Sequence, residues 1–290
     1  MFHPQLISWF ETTSRPLAWR TPETDAWGIL LSEVMSQQTP VARVEPIWQQ
    51  WLARWPNPKA FAEASPDEVL RAWGKLGYPR RALRLLGCAQ QIVELHQSRV
   101  PDNVDELLKL PGIGDYTARA VACFAYGQNV PVVDTNVRRV YRRAVEGQYL
   151  AGTASKSELT KVAAILPGDG SGPQFSAALM ELGAVVCTAT APKCKACPIA
   201  QECAWQQAGC PAPHADEVAA AKRRVQKFAG TDRQVRGLIM DVLRGAESPV
   251  EISAIDVVWP DPAQRSRALY SLINDGLAEQ DEQGRFHLPC

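Results

Sequence analysis

The sequence predicts a mainly α protein with a small α+β unit at its C-terminus. Apolar residues recur at helical spacing through the first 205 residues, and alternating strand patterns are almost absent there. The chain then closes with two helical patterns and two short apolar runs around Gln283-Gly284, the order of a winged helix-turn-helix. In chain order, Trp27 to Gln37 places Ile29, Leu30, Leu31 and Val34 at helical spacing, and Pro46 to Trp55 repeats the pattern. Pro66 to Leu76 opens with Ser65-Pro66-Asp67-Glu68, a helix entry with proline at the first position. Asp105 to Lys109 and Tyr116 to Phe124 flank a Pro-Gly turn, and Thr135 to Val145 and Gln174 to Cys187 complete the helical set. Gly209 to Ala221 is rich in Ala and Pro, and Lys222, Arg223, Arg224 and Lys227 follow, a linker composition. Asp232 to Arg244 and Pro262 to Gly276 read as helices, then Leu277 to Asp281 and Arg285 to Leu288 as strands. The organisation expected is residues 1–208, a linker over 209–230, and a winged-helix-like unit over 231–290.

At 290 residues, 46% hydrophobic and 21% charged, the composition is that of a globular protein and excludes a disordered or fibrous chain. No apolar run approaches the roughly 18 residues of a membrane span, and Met1 to Ser14 lacks the basic start and apolar stretch of a signal peptide. A cytoplasmic protein is expected. The formal net charge of 0 conceals an uneven distribution: residues 71–143 carry 12 basic against 6 acidic side chains, and residues 231–290 carry 6 against 10. Arg80, Arg81, Arg84, Arg138, Arg139, Arg142 and Arg143 concentrate the positive charge. Such a stretch is either the footprint of a phosphate backbone or a solvated helix face.

Three motifs carry chemistry. Leu110-Pro111-Gly112-Ile113-Gly114 lies between two helical patterns, and glycines spaced by one residue turn the backbone sharply and aim bare N–H groups outward at a helix start. That arrangement grips a phosphate; its bland alternative is a tight helical turn. Asp134, in Val132-Val133-Asp134-Thr135-Asn136-Val137, is either a helix N-cap or a functional carboxylate. Cys187, Cys194, Cys197 and Cys203 follow Cys-x6-Cys-x2-Cys-x5-Cys, whereas Cys88, Cys123, Cys210 and Cys290 are scattered. A reduced compartment makes a metal centre the reading for such a cluster: four thiolates hold a [4Fe–4S] cluster or tetrahedral zinc, and zinc usually takes two Cys-x-x-Cys units where this run has one. Lys193 and Lys195 would offset the negative centre and reach toward phosphate.

Together, the hairpin, the Asp shortly after it and the cysteine spacing resemble the endonuclease III superfamily of DNA base-excision glycosylases. Ser32-Glu33-Val34-Met35-Ser36-Gln37-Gln38-Thr39 and Leu76-Gly77-Tyr78 resemble the signatures of its adenine DNA glycosylase (MutY) family. The resemblance covers about residues 5 to 210. It implies a helix-hairpin-helix glycosylase fold of two helical subdomains, with an iron–sulfur loop over 187–203. The activity implied is excision of adenine mispaired with 8-oxoguanine or guanine in double-stranded DNA, by a monomer, in the cytoplasm at the nucleoid.

The same resemblance assigns roles. Glu33 matches the general acid that protonates N7 of an adenine flipped out of the duplex, for which its carboxyl must keep a proton near neutral pH. Asp134 matches the carboxylate that stabilises the sugar oxocarbenium ion, Asn136 the residue holding the water, and Tyr116 the tyrosine hydrogen-bonded near the acid. Gln38 and Tyr78 match side chains that wedge into the base stack, and Gln37 falls in the same DNA-contacting signature. Leu110, Gly112 and Gly114 match the backbone-gripping hairpin, and Trp19 and Arg20 the adenine pocket, although one extra residue separates that pair from Glu33. The four cysteines match the cluster ligands. Position 116 is tyrosine where a strand-cleaving member has a Schiff-base lysine, which implies base removal only.

Three departures stand out. Ser36 replaces a common leucine, Phe175-Ser176-Ala177-Ala178 lacks a polar pair found there, and about 60 residues of winged-helix character replace a Nudix-like domain that reads 8-oxoguanine. This shortened form resembles the actinobacterial branch. The replacement segment either binds DNA, docks a protein partner or packs. A thymine or uracil glycosylase and a damage-binding protein with a silent site are the rival readings. An acid at position 33 argues against the first, and the retained pair Glu33 and Asp134 against the second.

Overall fold

The computed structural model describes residues 2–213, 215–222 and 228–290, with the backbone alone at 217 and 220–222. Arg223, Arg224 and Lys227 of the expected linker lie outside the described residues. The chain divides into two compact units: Met1–Ile29 with Asp102–Leu108 and Gly114–Val225, and Leu30–Pro101 with Lys109–Ile113 and Gln226–Cys290.

In the first unit, helix Gly172–Val185 is central, with His3–Thr13 and Thr135–Ala144 packed against it. Its apolar face supplies Phe175, Ala178, Leu179 and Leu182, which meet Phe2, Leu6, Val137, Val140 and Trp205 in one core. Phe175 is fully buried and stands edge-on to His3 at 4.6 Å between ring centroids, so the departing Phe-Ser-Ala-Ala stretch belongs to this packing. The helix Asp115–Tyr126 ends at Gly127, whose φ of +67° is the left-handed geometry that glycine supplies most cheaply at a helix end.

The second unit has an aromatic core. Trp51 lies 5.0 Å from Trp55, 5.1 Å from Phe61 and 5.6 Å from Trp73, and its indole N–H donates to the Ala72 carbonyl at 3.1 Å. Burial of each such ring removes some 150–250 Å² from water. Helix Pro66–Trp73 begins with the expected cap: the Ser65 hydroxyl accepts from the Glu68 amide, and the Glu68 carboxylate accepts from the Ser65 amide. The helix expected from Pro46 instead runs Val41–Arg54, so proline sits inside it and costs one backbone hydrogen bond. Burial of Val44, Trp48 and Trp51 along one face holds the helix through that loss. Helix Arg80–Leu95, absent from the sequence reading, buries Ala82, Leu85, Leu86, Ala89 and Ile92 at helical spacing.

The C-terminal segment of this unit has the winged-helix order: helix Asp232–Gly245, short helix Ile252–Asp256, helix Pro262–Asn274, then strands Glu279–Gln280 and Phe286–His287. The strands pair antiparallel, Glu279 with His287 and Gln280 with Phe286, and Val250 forms a separate antiparallel bridge to Phe286. Val235, Ile239, Leu243, Leu269, Leu272 and Phe286 fill its interior. Ahead of it, part of the stretch expected as linker, Ala215–Lys222, is helical, as a run of alanines without Gly or Pro favours. Among the described residues no helix is long and apolar enough to cross a membrane.

Candidate active site and metal centre

In the first unit Asp134 caps helix Thr135–Ala144. One carboxylate oxygen accepts from the Val137 amide at 2.6 Å, and the other accepts from the Asn136 side-chain amide at 2.7 Å. Asp134 is thus the helix N-cap, and Asn136 donates to its second oxygen, so both carboxylate oxygens are held. Burial pushes the Asp134 carboxyl above the ordinary carboxylate range, against the opposing pull of those two hydrogen bonds.

Asn136 is held from behind. Its side-chain oxygen accepts from Arg139 Nη2 at 2.7 Å; the same nitrogen donates to the Gly183 carbonyl at 2.6 Å, and Arg139 Nε to the Cys187 carbonyl at 2.7 Å. An unbroken chain of hydrogen bonds thus runs from the Asp134 carboxylate to the backbone of the first clustered cysteine. Arg143, only 1% exposed, donates to the Thr188 and Ala189 carbonyls and lies 3.4 Å from Cys187 Sγ. Arg139 and Arg143 are missing from the residues picked out on the sequence except as part of the basic stretch. Both face inward, while Arg138 pairs with Glu158 at 2.7 Å and Arg142 with Glu146 at 3.5 Å. All four arginines of this helix are bonded within the fold, rather than arrayed as a phosphate footprint or as a solvated face, the two alternatives for the basic stretch.

Cys187, Cys194, Cys197 and Cys203 line one pocket with Arg143, Pro192 and Trp205. None is in a disulfide. Burial pushes the Cys197 thiol up to about 11 and raises those of Cys194 and Cys203. Among the described residues, the group with three ligand atoms all within 4.8 Å of one another is Glu279, His287 and Cys290, not these cysteines. Tetrahedral zinc with bonds of ~2.3 Å would bring its sulfurs to about 3.8 Å of one another. The four thiols surround one pocket without closing to the spacing of a single ion.

Trp19 is buried. Arg20 donates to Glu181 at 2.9 Å, and Arg15 grips the same carboxylate through Nε at 2.6 Å and Nη2 at 2.9 Å. Glu181 is fully buried; burial alone would raise its carboxyl, but the bonds from Arg15 and Arg20 hold it below the usual range. Arg20 is thereby committed to an internal ion pair. Tyr116 lies half-buried at the start of helix Asp115–Tyr126, immediately after the exposed Gly114.

In the second unit Glu33 is half-buried on helix Ala26–Ser36, between the buried Ser32 and Val34. Gln37 lines a small pocket with Arg81, Arg84, Pro111 and Gly112, which places the signature after Glu33 against the hairpin turn. Leu110 is buried and anchors that turn, and its carbonyl accepts from the Ile113 amide at 3.2 Å. Gly112 is exposed with φ of +79°, and a Cβ there would come within 2.9 Å of Arg84 Cβ. Only glycine fits. Gln38 and Tyr78, the two residues matched to wedges, are exposed and have φ of +56° and +49°, left-handed geometry unusual for side chains of their kind. Both line the same cleft.

Residues 31–161 match the family model of HhH-GPD superfamily base excision DNA repair proteins. An adenine DNA glycosylase of Mycolicibacterium smegmatis is 59% identical over 285 residues, covering 98% of this chain and 94% of its own length. One from Mycobacterium tuberculosis is 54% identical over 286 residues, covering 98% and 92%. The C-terminal winged-helix segment thus falls within the matched length. Among solved structures, a thermostable thymine-DNA glycosylase aligns with a TM-score of 0.65 at 26% identity, covering 71% of this chain and 95% of its own. The extent and identity of these matches, on a helical fold with the hairpin and cysteine loop in place, make this chain a member of the adenine DNA glycosylases within the HhH-GPD superfamily of base excision DNA repair proteins.

Proposed function

We propose that this chain removes adenine mispaired with 8-oxoguanine or guanine in double-stranded DNA and leaves the sugar–phosphate strand uncut. The carrying observation is the Asp134–Asn136 pair, a desolvated carboxylate fixed by two hydrogen bonds at a helix start. A carboxylate held in low-dielectric surroundings stabilises the positive charge that develops on the sugar as the glycosidic bond breaks, and it needs no reorganisation to do so. The amide of Asn136, locked by Arg139, orients the water whose oxygen bonds to the cationic sugar carbon and whose released proton restores the Glu33 acid. Glu33 donates its proton to N7 of the flipped adenine, which converts a poor leaving group into a neutral one. Tyr116 supports the acid. Since no lysine follows Gly114-Asp115, the reaction stops at the abasic sugar.

The exposed amides of the turn at Gly112 and Gly114 bind backbone phosphate, and Gln37, Gln38 and Tyr78 occupy the gap left by the flipped base. Trp19 borders the base pocket, and Arg20 shapes it from its pairing with Glu181. Cys187, Cys194, Cys197 and Cys203 hold a [4Fe–4S] cluster, whose part when bound is to cross-link the 187–203 loop. The protein acts as a monomer in the cytoplasm at the nucleoid, with residues 1–208 as the catalytic portion, 209–230 as linker and 231–290 as an added module.

Single-turnover excision tests this on duplexes carrying adenine opposite 8-oxoguanine, guanine or cytosine, and thymine opposite guanine, each with and without alkali. Adenine loss fastest opposite 8-oxoguanine, with breaks only after alkali, is the expected result. Glu33→Gln should abolish excision and leave duplex binding nearly unchanged. Thymine release, alkali-independent breaks or an active Glu33→Gln enzyme would overturn the assignment.

A further inference from the structure

The hairpin of the winged segment brings together three side chains that the excision chemistry leaves unused. Glu279 and His287 face each other across its two strands. Directly opposed residues of an antiparallel pair carry their side chains on the same face, with Cβ atoms about 4.5–5.5 Å apart. Cys290 follows shortly after His287, and its Sγ lies 4.0 Å from His287 Nδ1. A carboxylate oxygen of Glu279, a ring nitrogen of His287 and the Cys290 sulfur all fall within 4.8 Å of one another.

The backbone beneath these groups is anchored. Ala278, Phe286, Leu288 and Pro289 are buried, so each of the three donors adjoins a residue fixed in the core of the segment. Phe286 exchanges two backbone hydrogen bonds with Val250, each of 2.8 Å. The turn between the strands is closed by the Asp281 carboxylate, which accepts from the amides of Gln283 and Arg285 at 3.0 and 2.8 Å. Pro289 has a fixed φ and disfavours helical backbone at Leu288, which limits the paths by which the chain brings Cys290 to the ring. The ring itself is held, with Nδ1 at 2.7 Å from the Leu288 carbonyl. A carbonyl only accepts, so Nδ1 carries the proton and Nε2 the lone pair, the arrangement by which a metal-bound histidine is oriented. The anionic donors are uncommitted. Among the described residues the exposed Glu279 makes no ion pair or hydrogen bond, Arg285 pairing instead with Asp281 at 2.8 Å, and Cys290 is in no disulfide.

We propose that Glu279, His287 and Cys290 bind a divalent cation of the zinc class, at a site distinct from the four-cysteine loop. An ionised carboxylate, a neutral imidazole and a thiolate together carry two negative charges, which balance the cation. One oxygen, one nitrogen and one sulfur donor suit a borderline ion such as Zn²⁺, whereas Mg²⁺ and Ca²⁺ take oxygen throughout. Tetrahedral bonds of about 2.0–2.3 Å place such donor atoms about 3.4–3.6 Å apart. The present spacing therefore closes by up to about 1.4 Å, within the reach of rotamer changes in side chains at the surface. Three protein donors leave the fourth position to water. The bound ion ties both strands to the stretch that follows them, cross-linking a hairpin of two residues per strand.

The test is zinc binding by the tag-free full chain, purified with its iron and kept under a thiol-free reductant. Equilibrium dialysis against Zn²⁺ followed by elemental analysis counts zinc and iron per chain, and competition with a chromophoric chelator gives the affinity. Wild type should take up one zinc beside its iron, and excess Mg²⁺ should not displace it. Glu279→Gln, His287→Ala and Cys290→Ser should each weaken zinc binding by about tenfold or more, since even loss of a group that only orients a ligand costs about that much. Iron content and the melting temperature without zinc should stay as in wild type, because the altered side chains lie at the surface of the hairpin. No zinc uptake by wild type would overturn the proposal. So would zinc retained by all three variants, which places the ion elsewhere, on the four-cysteine loop for example. A loss confined to Cys290→Ser would overturn it as well, leaving a single surface thiol in place of a site. Adenine excision does not enter these measurements, so this proposal and the catalytic one fail separately.

Discussion

Gly183 sets the distance between the central helix of the first unit and the turn that carries Asp134 and Asn136. A Cβ added there would lie 2.7 Å from Asn136 Cβ, 2.9 Å from its carbonyl oxygen and 3.0 Å from its carbonyl carbon. Ordinary contact begins near 3.4 Å, so in Gly183→Ala the two helices must separate by several tenths of an ångström. Two of the three atoms are backbone, so no rotamer change relieves the clash. Helix propensity alone would stabilise the alanine variant by about 1 kcal/mol; overpacking costs about 1–3 kcal/mol, and the rigid neighbour places this site toward the upper part of that range. The expected net is a loss of about 1–2 kcal/mol. The catalytic effect should be larger. The Gly183 carbonyl also accepts from Arg139, so the displacement passes to Asn136 and, in the proposed mechanism, to the water that Asn136 would orient. A misplacement approaching 1 Å costs on the order of 100-fold in rate. Thermal melts and single-turnover excision of adenine measure the two effects. Gly237→Ala, in a helix where an added Cβ meets nothing within 4 Å, is the control and should gain stability. Should Gly183→Ala also melt higher and excise adenine normally, close packing at Gly183 is not what positions Asn136.

Other substitutions probe the remaining parts. Cys197→Ser should lose visible iron–sulfur absorbance and stability around residues 187–203, and full absorbance in that variant would exclude Cys197 as a ligand. Asp134→Asn keeps a capping side chain but removes a carboxylate whose pKa burial has raised. A carboxyl raised on folding contributes stability below its unfolded pKa and loses it as pH rises through the folded value. At neutral pH the asparagine variant should therefore melt higher than wild type, with the gap closing on acidification, and it should not excise adenine; a gap that widens toward acid refutes the sign. Ser36 buries a hydroxyl that has no hydrogen-bond partner among the described residues. Removing it in Ser36→Ala should stabilise by about 1 kcal/mol in a urea titration, and a loss of that size would show that the hydroxyl has a partner.

What the sequence disclosed depended on where each residue's partner lies. The cap at Ser65, the hairpin turn and the terminal winged order are written in residues a few positions apart, and local rules find them. Helix Thr135–Ala144 is a different case. Val137, Val140 and Ala144 fall on one face, with Arg139 and Arg143 on its flank and Arg138 and Arg142 opposite, and four arginines at that spacing by themselves read as a cationic surface. The acceptors that pull Arg139 and Arg143 inward are the carbonyls of Gly183, Cys187, Thr188 and Ala189, more than 40 positions further along. Helix ends and loops leave such carbonyls unpaired, and a guanidinium with five donors satisfies several at once. Periodicity reports how apolar a face is, but it carries no record of which backbone groups elsewhere need a donor. Arg233 is the converse case: it shares a helix with Arg236, which binds Ser271 and Asp275, yet among the described residues it makes no hydrogen bond or ion pair. In this fold an arginine's surroundings are decided by whether an acceptor lies within reach, which separates Arg139 and Arg143, built into the structure around Asp134, from Arg233 on the Tyr78 ring.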